Sequence, residues 1–185
     1  MRTASTRIVG LAVLALCASL LAVPSSEAVA GDSYLLLKAG GYEPRANDVK
    51  DDLDTGFAGE VAVGHYFLPF LGAEFAAGYI DSSKGTNKLT VVPVTLAAKL
   101  RIPIPVVKPY AIAGGGAYIA KAEALSMDSQ SDTAFGYFAG AGADFKLLFV
   151  LLNVEAKYLW AKPTFLGQDV DIDGAVVTVG VGFEF

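Results

Sequence analysis

From Ala175 to Phe185 every second residue is apolar. Ala175, Val177, Val179, Val181, Phe183 and Phe185 alternate with residues that include Thr178, Gly180, Gly182 and Glu184. Successive side chains of an extended chain point to opposite faces, so this segment is a strand with one apolar face and one small or polar face. The same period runs through seven further segments. Phe57, Gly59, Val61, Val63, His65 and Phe67 share a face opposite Glu60, and Leu71, Ala73, Phe75, Ala77 and Tyr79 lie opposite Glu74. Val92, Val94, Leu96, Ala98, Leu100 and Ile102 face away from Thr95, Lys99 and Arg101. Leu152, Val154, Ala156, Tyr158 and Trp160 face away from Asn153, Glu155 and Lys157. Tyr34–Gly41 sets Leu35, Leu37 and Ala39 opposite Lys38, and Thr133–Phe145 sets Phe135, Tyr137 and four later residues opposite Asp144. In Tyr110–Lys121, the apolar face is read as Tyr110, Ile112 and Tyr118, with small residues and Lys121 opposite.

This pattern explains a mean hydropathy of +0.49, unusually high for a soluble chain. Part of the excess lies at the start. Arg2 and Arg7 precede an uncharged apolar run from Ile8 to Val23, followed by Ala28-Val29-Ala30. Positive start, short apolar core and small-x-small site are the layout of a cleaved secretory signal peptide, residues 1–30. The run is short for a retained membrane anchor. Leu16 stands before Cys17 where a lipoprotein signal has a small residue. Residues 31–185 then form one domain with no cysteine, which excludes disulfides and cysteine-bound metal. Removing Arg2, Arg7 and Glu27 leaves 12 basic and 18 acidic residues, net −6, which argues against a nucleic-acid partner.

Beyond residue 30 no helix is expected to cross a membrane. The longest stretch without a charged residue is the 13 residues between Glu60 and Glu74, and a helical span needs about 18 or more apolar residues. The charges fall on one phase of the strands. Lys38, Lys99, Arg101, Lys121 and Lys157 meet Glu60, Glu74, Asp144, Glu155 and Glu184 on the non-apolar face, and the apolar face carries none. A soluble sandwich keeps its charges outside and its apolar face in. The reverse, with five bases balancing five acids, fits a narrow closed barrel whose outside meets lipid and whose inside holds a self-neutralising polar network.

The connections fit an eight-stranded antiparallel up-and-down transmembrane β-barrel. Short links at Leu68–Phe70, Pro103–Lys108 and Lys146–Phe149 alternate with longer polar ones at Glu43–Asp54, Asp81–Lys88, Ala122–Asp132 and Ala161–Asp171. Closure removes the edges that lipid cannot hydrogen-bond. Glycines such as Gly114-Gly115-Gly116 and those at 140 and 142 relieve crowding in a small, curved barrel.

The stretches GHYFLPFLGAEFAAGY, VVPVTLAAKLRIPIPVVKPYAIAGGGAY, FGYFAGAGADFKL and the terminal VGVGFEF resemble the small bacterial outer-membrane β-barrel domain family related to OmpA and OmpX. The resemblance covers most of residues 31–185. It implies an integral protein of the cell outer membrane, in contact with outer-membrane lipid and lipopolysaccharide and expected as a monomer. Val179, Val181, Phe183 and Phe185 resemble the C-terminal signal read by the barrel-assembly machinery. No peptidoglycan-binding domain is expected after the barrel.

Motifs for chemistry are weak. An outer-membrane lipid A deacylase has a His-x-Ser pair, but His65 is followed by Tyr66 and Phe67. His65 falls on the lipid-facing phase near a short turn, where an interfacial ring is expected. Asp169-Val170-Asp171-Ile172-Asp173-Gly174 begins like a calcium loop, yet Gly180 stands where the bidentate Glu belongs. This segment and the Asp48, Asp51, Asp52 and Asp54 cluster read as solvated acidic loops. Gly114–Gly116 has no following helix and no phosphate-loop lysine. Glu60 and Glu74 read as ion-pair partners rather than an acid-base pair. No catalytic residue, metal or cofactor is assigned. The expected function is non-enzymatic, structural and surface-contact. The alternative is a narrow OmpW-like porin for small or apolar solutes, and a lipid A-modifying enzyme is a remote third. A soluble lipocalin-like barrel is the structural rival.

Overall fold

The computed structural model describes residues 32–45, 54–84, 87–124, 127–162, 164–165, 168–169 and 171–185. The expected signal peptide, Cys17 and the acidic residues Asp48, Asp51 and Asp52 lie outside them. The described chain forms ten strands: β1 (Ser33–Pro44), β2 (Gly56–Tyr66), β3 (Leu71–Lys84), β4 (Asn87–Arg101), β5 (Val107–Ala124), β6 (Met127–Leu147), β7 (Val150–Ala161), β8 (Thr164–Phe165), β9 (Gln168–Asp169) and β10 (Gly174–Glu184). Eight of them close a barrel in the order β1-β10-β7-β6-β5-β4-β3-β2, every pair antiparallel, while β8 and β9 make a separate small hairpin. The seam is complete. β1 and β10 pair from Tyr34↔Glu184 to Pro44↔Gly174, and Ser33 and Phe185 exchange backbone hydrogen bonds of 2.9 and 2.8 Å. Among the described residues the closed ring of eight strands leaves no edge strand within the barrel, as a lipid environment requires.

The alternation read from the sequence becomes an inside and an outside on every barrel strand. On β10, Val177, Val179, Val181 and Phe183 are exposed, and Val176 and Thr178 are buried. Seven strands keep the expected phase. On β5 it is inverted: Tyr110, Ile112 and Tyr118 are buried in the lumen, whereas Lys121 is exposed on the outer phase. The reason is volume and polarity together. The middle of the outer phase of β5 carries Ala111, Ala113, Gly115 and Ala117, small residues that suit lipid, and Tyr110 uses its hydroxyl inside on Glu155.

Two expected long loops are hairpins instead. β3 and β4 pair out to Lys84↔Asn87, and β5 and β6 to Ala124↔Met127, with a register shift at Ala122/Ala124. β5 and β6 are 18 and 21 residues long, well beyond the 9–11 that cross a bilayer. The β2–β3 ladder stops at Phe57↔Asp81 and the β6–β7 ladder at Gly136↔Ala161. Strands β3 to β6 therefore continue as a four-stranded sheet past the rim, at the end away from the chain termini.

Inside, the lumen has two chemically different halves. Toward the rim it is lined by an apolar cluster that includes Ile80, Val91, Tyr118, Phe138, Leu159 and Val176. Toward the termini it is charged, with a smaller apolar patch of Tyr34, Leu36, Ala62, Tyr66, Ala76 and Leu151 among the charges.

Leu96 is 62% exposed near the middle of the outer face of β4. Leu96→Arg puts a cation against lipid at that depth and is expected to lower stability by about 2–4 kcal/mol. Urea titration of the protein refolded in lipid vesicles measures the loss, and an unchanged midpoint would show that this face does not meet hydrocarbon.

Candidate functional site

Lys38 is the centre of the charged half. It sits on the inward phase of β1, and its ammonium is wholly buried. Three carboxylates from three other strands surround it: Glu60 Oε1 at 3.0 Å from β2, Glu74 Oε1 at 3.0 Å from β3, and Glu155 Oε2 at 3.1 Å from β7. A second lysine, Lys99 on β4, lies 3.1 Å from Asp144 Oδ2 and 3.5 Å from Glu74 Oε2. Its ammonium also lies 3.8 Å from the Tyr110 ring centroid and 4.7 Å from that of Tyr34, where the ring faces attract a cation. Lys157 on β7 bridges Glu60 Oε2 and Glu155 Oε1, the latter at 3.3 Å.

Hydroxyls and an amide complete the carboxylates. Tyr34 donates to Glu74 Oε2 at 2.6 Å, and Tyr110 donates to Glu155 Oε2 at 2.8 Å. Asn153 Nδ2 donates to Tyr110 Oη at 2.8 Å and to Asp144 Oδ1 at 2.6 Å. A buried ion pair repays its desolvation only when the remaining lone pairs are also satisfied, and these hydrogen bonds go toward that for Glu74, Glu155 and Asp144.

A second cluster lies at the end that holds the termini. Arg101 stacks on the Tyr66 ring at 3.6 Å, donates from Nε to Pro69 O at 2.9 Å and pairs with Asp32. Lys108 and Lys146 both reach Glu184, at 3.2 and 3.3 Å. Together the two clusters hold six bases (Lys38, Lys99, Lys157, Arg101, Lys108, Lys146) and six acids (Glu60, Glu74, Glu155, Asp144, Asp32, Glu184).

Nine of the ten residues expected inside are in these clusters: Lys38, Glu60, Glu74, Lys99, Arg101, Asp144, Glu155, Lys157 and Glu184. Lys121 is not, because β5 has the opposite phase. Sequence reasoning missed Lys108 and Lys146 by placing them in turns, and missed Asp32 because it precedes the first strand. It also missed Tyr34 and Tyr110, whose rings read as lipid-facing or neutral. One signal was present: each tyrosine has a glycine opposite it. Tyr34 pairs with Gly64 and Tyr110 with Gly142, and a Cβ on either glycine would collide with the facing ring. The glycines are the slots that let these rings lie flat against the wall and aim their hydroxyls at carboxylates.

The remaining candidates are accounted for by local contacts. His65 is on the outer phase, with Nδ1 2.9 Å from Ser33 Oγ on the neighbouring strand and its ring 6.4 Å from that of Phe67. In the Asp169–Gly174 stretch, Val170 is outside the described residues. Asp173 Oδ1 accepts a hydrogen bond from Ala161 N at 3.1 Å, and Asp171 pairs with Lys162 at 2.9 Å. Val179, Val181, Phe183 and Phe185 all point outward and are exposed.

Comparison with known proteins places this geometry. Residues 13–185 match the family described as outer membrane protein beta-barrel domain. Neisserial surface protein A is similar in structure, with a TM-score of 0.69 at 15% identity over 83% of this chain and 97% of that one. The attachment invasion locus protein Ail of Yersinia pestis gives 0.60 at 15% identity over 84% and 99%. OprG of Pseudomonas aeruginosa gives 0.61 at 17% over 85% and 97%. No match was found among curated proteins.

Lys38→Met removes the shared cation and leaves three buried carboxylates around an apolar side chain. It is expected to destabilise the barrel by about 3–5 kcal/mol, measured by denaturant unfolding in detergent. A loss below 1 kcal/mol would mean that the carboxylates do not depend on Lys38. Asp32, at the end of the barrel, is held below the usual carboxylate pKa of 3.8 by its hydrogen bond to Arg101 and by the nearby cations. The stability this gives is present above that value and is lost as pH falls through the lowered one. Asp32→Asn should therefore be less stable than the wild type at pH 7, with the difference vanishing in acid. A difference independent of pH would show that the ion pair is not its source.

Proposed function

From the premise that this chain belongs to the outer membrane protein beta-barrel domain family, we propose that it is a non-enzymatic barrel with a structural and surface-contact role in the envelope. It is an integral outer-membrane β-barrel, so the end that holds both termini faces the periplasm and the four-stranded extension of β3 to β6 faces outward. One observation carries the proposal. The charged half of the lumen is packed with ion pairs that bury Lys38, Lys99 and Glu155 almost completely. With the inside filled, the surfaces left for function are the external sheet and the lipid-facing wall. No group among the described residues has the nucleophile, base and electrophile arrangement of a hydrolase. Neisserial surface protein A and the attachment invasion locus protein Ail, by their names a surface protein and an attachment protein, share this fold.

The partners that follow are outer-membrane lipid and lipopolysaccharide around the wall, and the barrel-assembly machinery acting on Val179, Val181, Phe183 and Phe185. The apolar external half of the lumen is the feature that favours the alternative, a narrow passage for small or apolar solutes.

Two measurements separate these readings. Purified protein in planar bilayers is expected to give no stable conductance steps, and reproducible channels would overturn the filled-barrel reading in favour of transport. Shortening the β3–β4 and β5–β6 hairpins to the level of the rim should preserve heat-modifiable gel mobility while reducing adhesion of cells that display the protein. Unchanged adhesion would remove the contact role.

A further inference from the structure

Ile172 is a hydrophobic residue in the external connection before β10, outside any strand, yet it is 1% exposed. Residues in surface connections are rarely buried, because their backbone groups need partners. Those of Ile172 have them. Its amide donates to Ala161 O at 3.0 Å, and its carbonyl accepts the hydroxyl of Tyr42 at 2.8 Å, a buried hydrogen bond from inside the barrel wall. The next residue, Asp173, is tied on both sides, by Ala161 N to its carboxylate and by Arg45 N to its carbonyl at 2.9 Å. The side chain of Ile172 thus joins the apolar ring of Tyr42, Leu89, Val91, Leu159 and Val176 at the external end of the lumen.

Below that ring is a cavity of about 20 Å3 whose walls include Ile80, Tyr118, Phe138 and Val176 and whose floor is Glu60 and Lys157. A space of this size holds about one water. One polar group facing it, the Thr178 hydroxyl, is 3% exposed and has no hydrogen-bond partner. An apolar cluster that includes Ile172 lies above the cavity and the ion-pair cluster lies below it.

We propose that Ile172 is the stopper of the external end, held by the Tyr42 hydroxyl, and that the cavity beneath it is a vestibule for water that communicates with the outside and not with the periplasm. The proposal is independent of the surface-contact role. When Ile172 is withdrawn, the Thr178 hydroxyl and the Glu60–Lys157 pair become the first polar groups an entering molecule meets. The Lys38 cluster still blocks passage.

The test places a thiol in the vestibule. Thr178→Cys is made in a Cys17→Ser background, and its reaction with a small charged methanethiosulfonate is timed in the folded protein. Glu43→Cys, an exposed position at the external end, serves as the reference. With Ile172 present, Thr178→Cys should react at least tenfold more slowly than the reference. Adding Ile172→Gly should raise the rate at least tenfold, and Tyr42→Phe, which keeps the ring and removes only the latch, should raise it to an intermediate value. Heat-modifiable mobility reports folding of each variant, and Thr95→Cys replaces Thr178→Cys if that protein does not fold. Equal rates with and without Ile172 would overturn the proposal. So would a rate increase from Lys38→Met as large as that from Ile172→Gly, because entry would then be from the periplasmic side.

Discussion

An ammonium group withdrawn from water has to recover several kcal/mol of hydration from its neighbours, and in this barrel Lys38 recovers it from Glu60, Glu74 and Glu155 on three other strands. The requirement is reciprocal. Each of those carboxylates needs a cation beside it in turn, and Lys99 and Lys157 supply the remaining contacts. Because β1 is both the first strand and one side of the closing seam, its lysine links strands that lie far apart in the chain. Lys38 and Glu155 are 117 residues apart. The ion cluster therefore forms only when the barrel closes, and it is a favourable term that an open sheet lacks.

In the charged half of the lumen, Tyr34, Tyr66 and Tyr110 stand among the charges. A ring lying flat against a barrel wall needs the opposite position empty. Gly64 leaves that space for Tyr34, Gly142 for Tyr110, Gly72 for Tyr66 and Gly174 for Tyr42. The first two of these rings carry hydroxyls to carboxylates, the third presents its face to Arg101, and the fourth reaches up to the Ile172 carbonyl. Glycine in a strand costs some intrinsic stability. Here the aromatic ring covers the exposed backbone and turns the loss into a directed polar contact.

The barrel was legible in the sequence because its two solvents differ so sharply. Lipid outside forbids a charge on one phase, and that prohibition produced the alternation in β1 to β4, in β6, in β7 and in β10. Most of the ion cluster followed, since a charge on a lipid-flanked strand has only one place to go. The phase is ambiguous where the lipid side of a strand carries mostly small residues. Along the middle of β5 the outer residues are Ala111, Ala113, Gly115 and Ala117, with the bulkier Ile119 only beyond them, and the inner ones are Tyr110, Ile112 and Tyr118, so hydrophobicity alone assigned the phase backwards. Lys121 went with it. It stands far enough along β5, near the external rim, for lipid to exert no prohibition there.

The extent of the strands was hidden for a related reason. Past the rim, neither face meets hydrocarbon and neither face is a packed core, so the alternation that marks a strand fades while its backbone ladder continues. Ser82-Ser83-Lys84 and the polar residues that open β6 read as loop by composition, yet their backbones pair to Lys84↔Asn87 and Ala124↔Met127. Pairing there is propagated from the barrel below, whose closed register fixes the strands at the rim and leaves each further residue only a short loop to close. The same propagation explains why the external side of this protein is built of sheet. A barrel that sets four neighbouring strands in register at the membrane surface extends them outward at little entropic cost. The extended sheet takes its order from the closed register of the barrel below it.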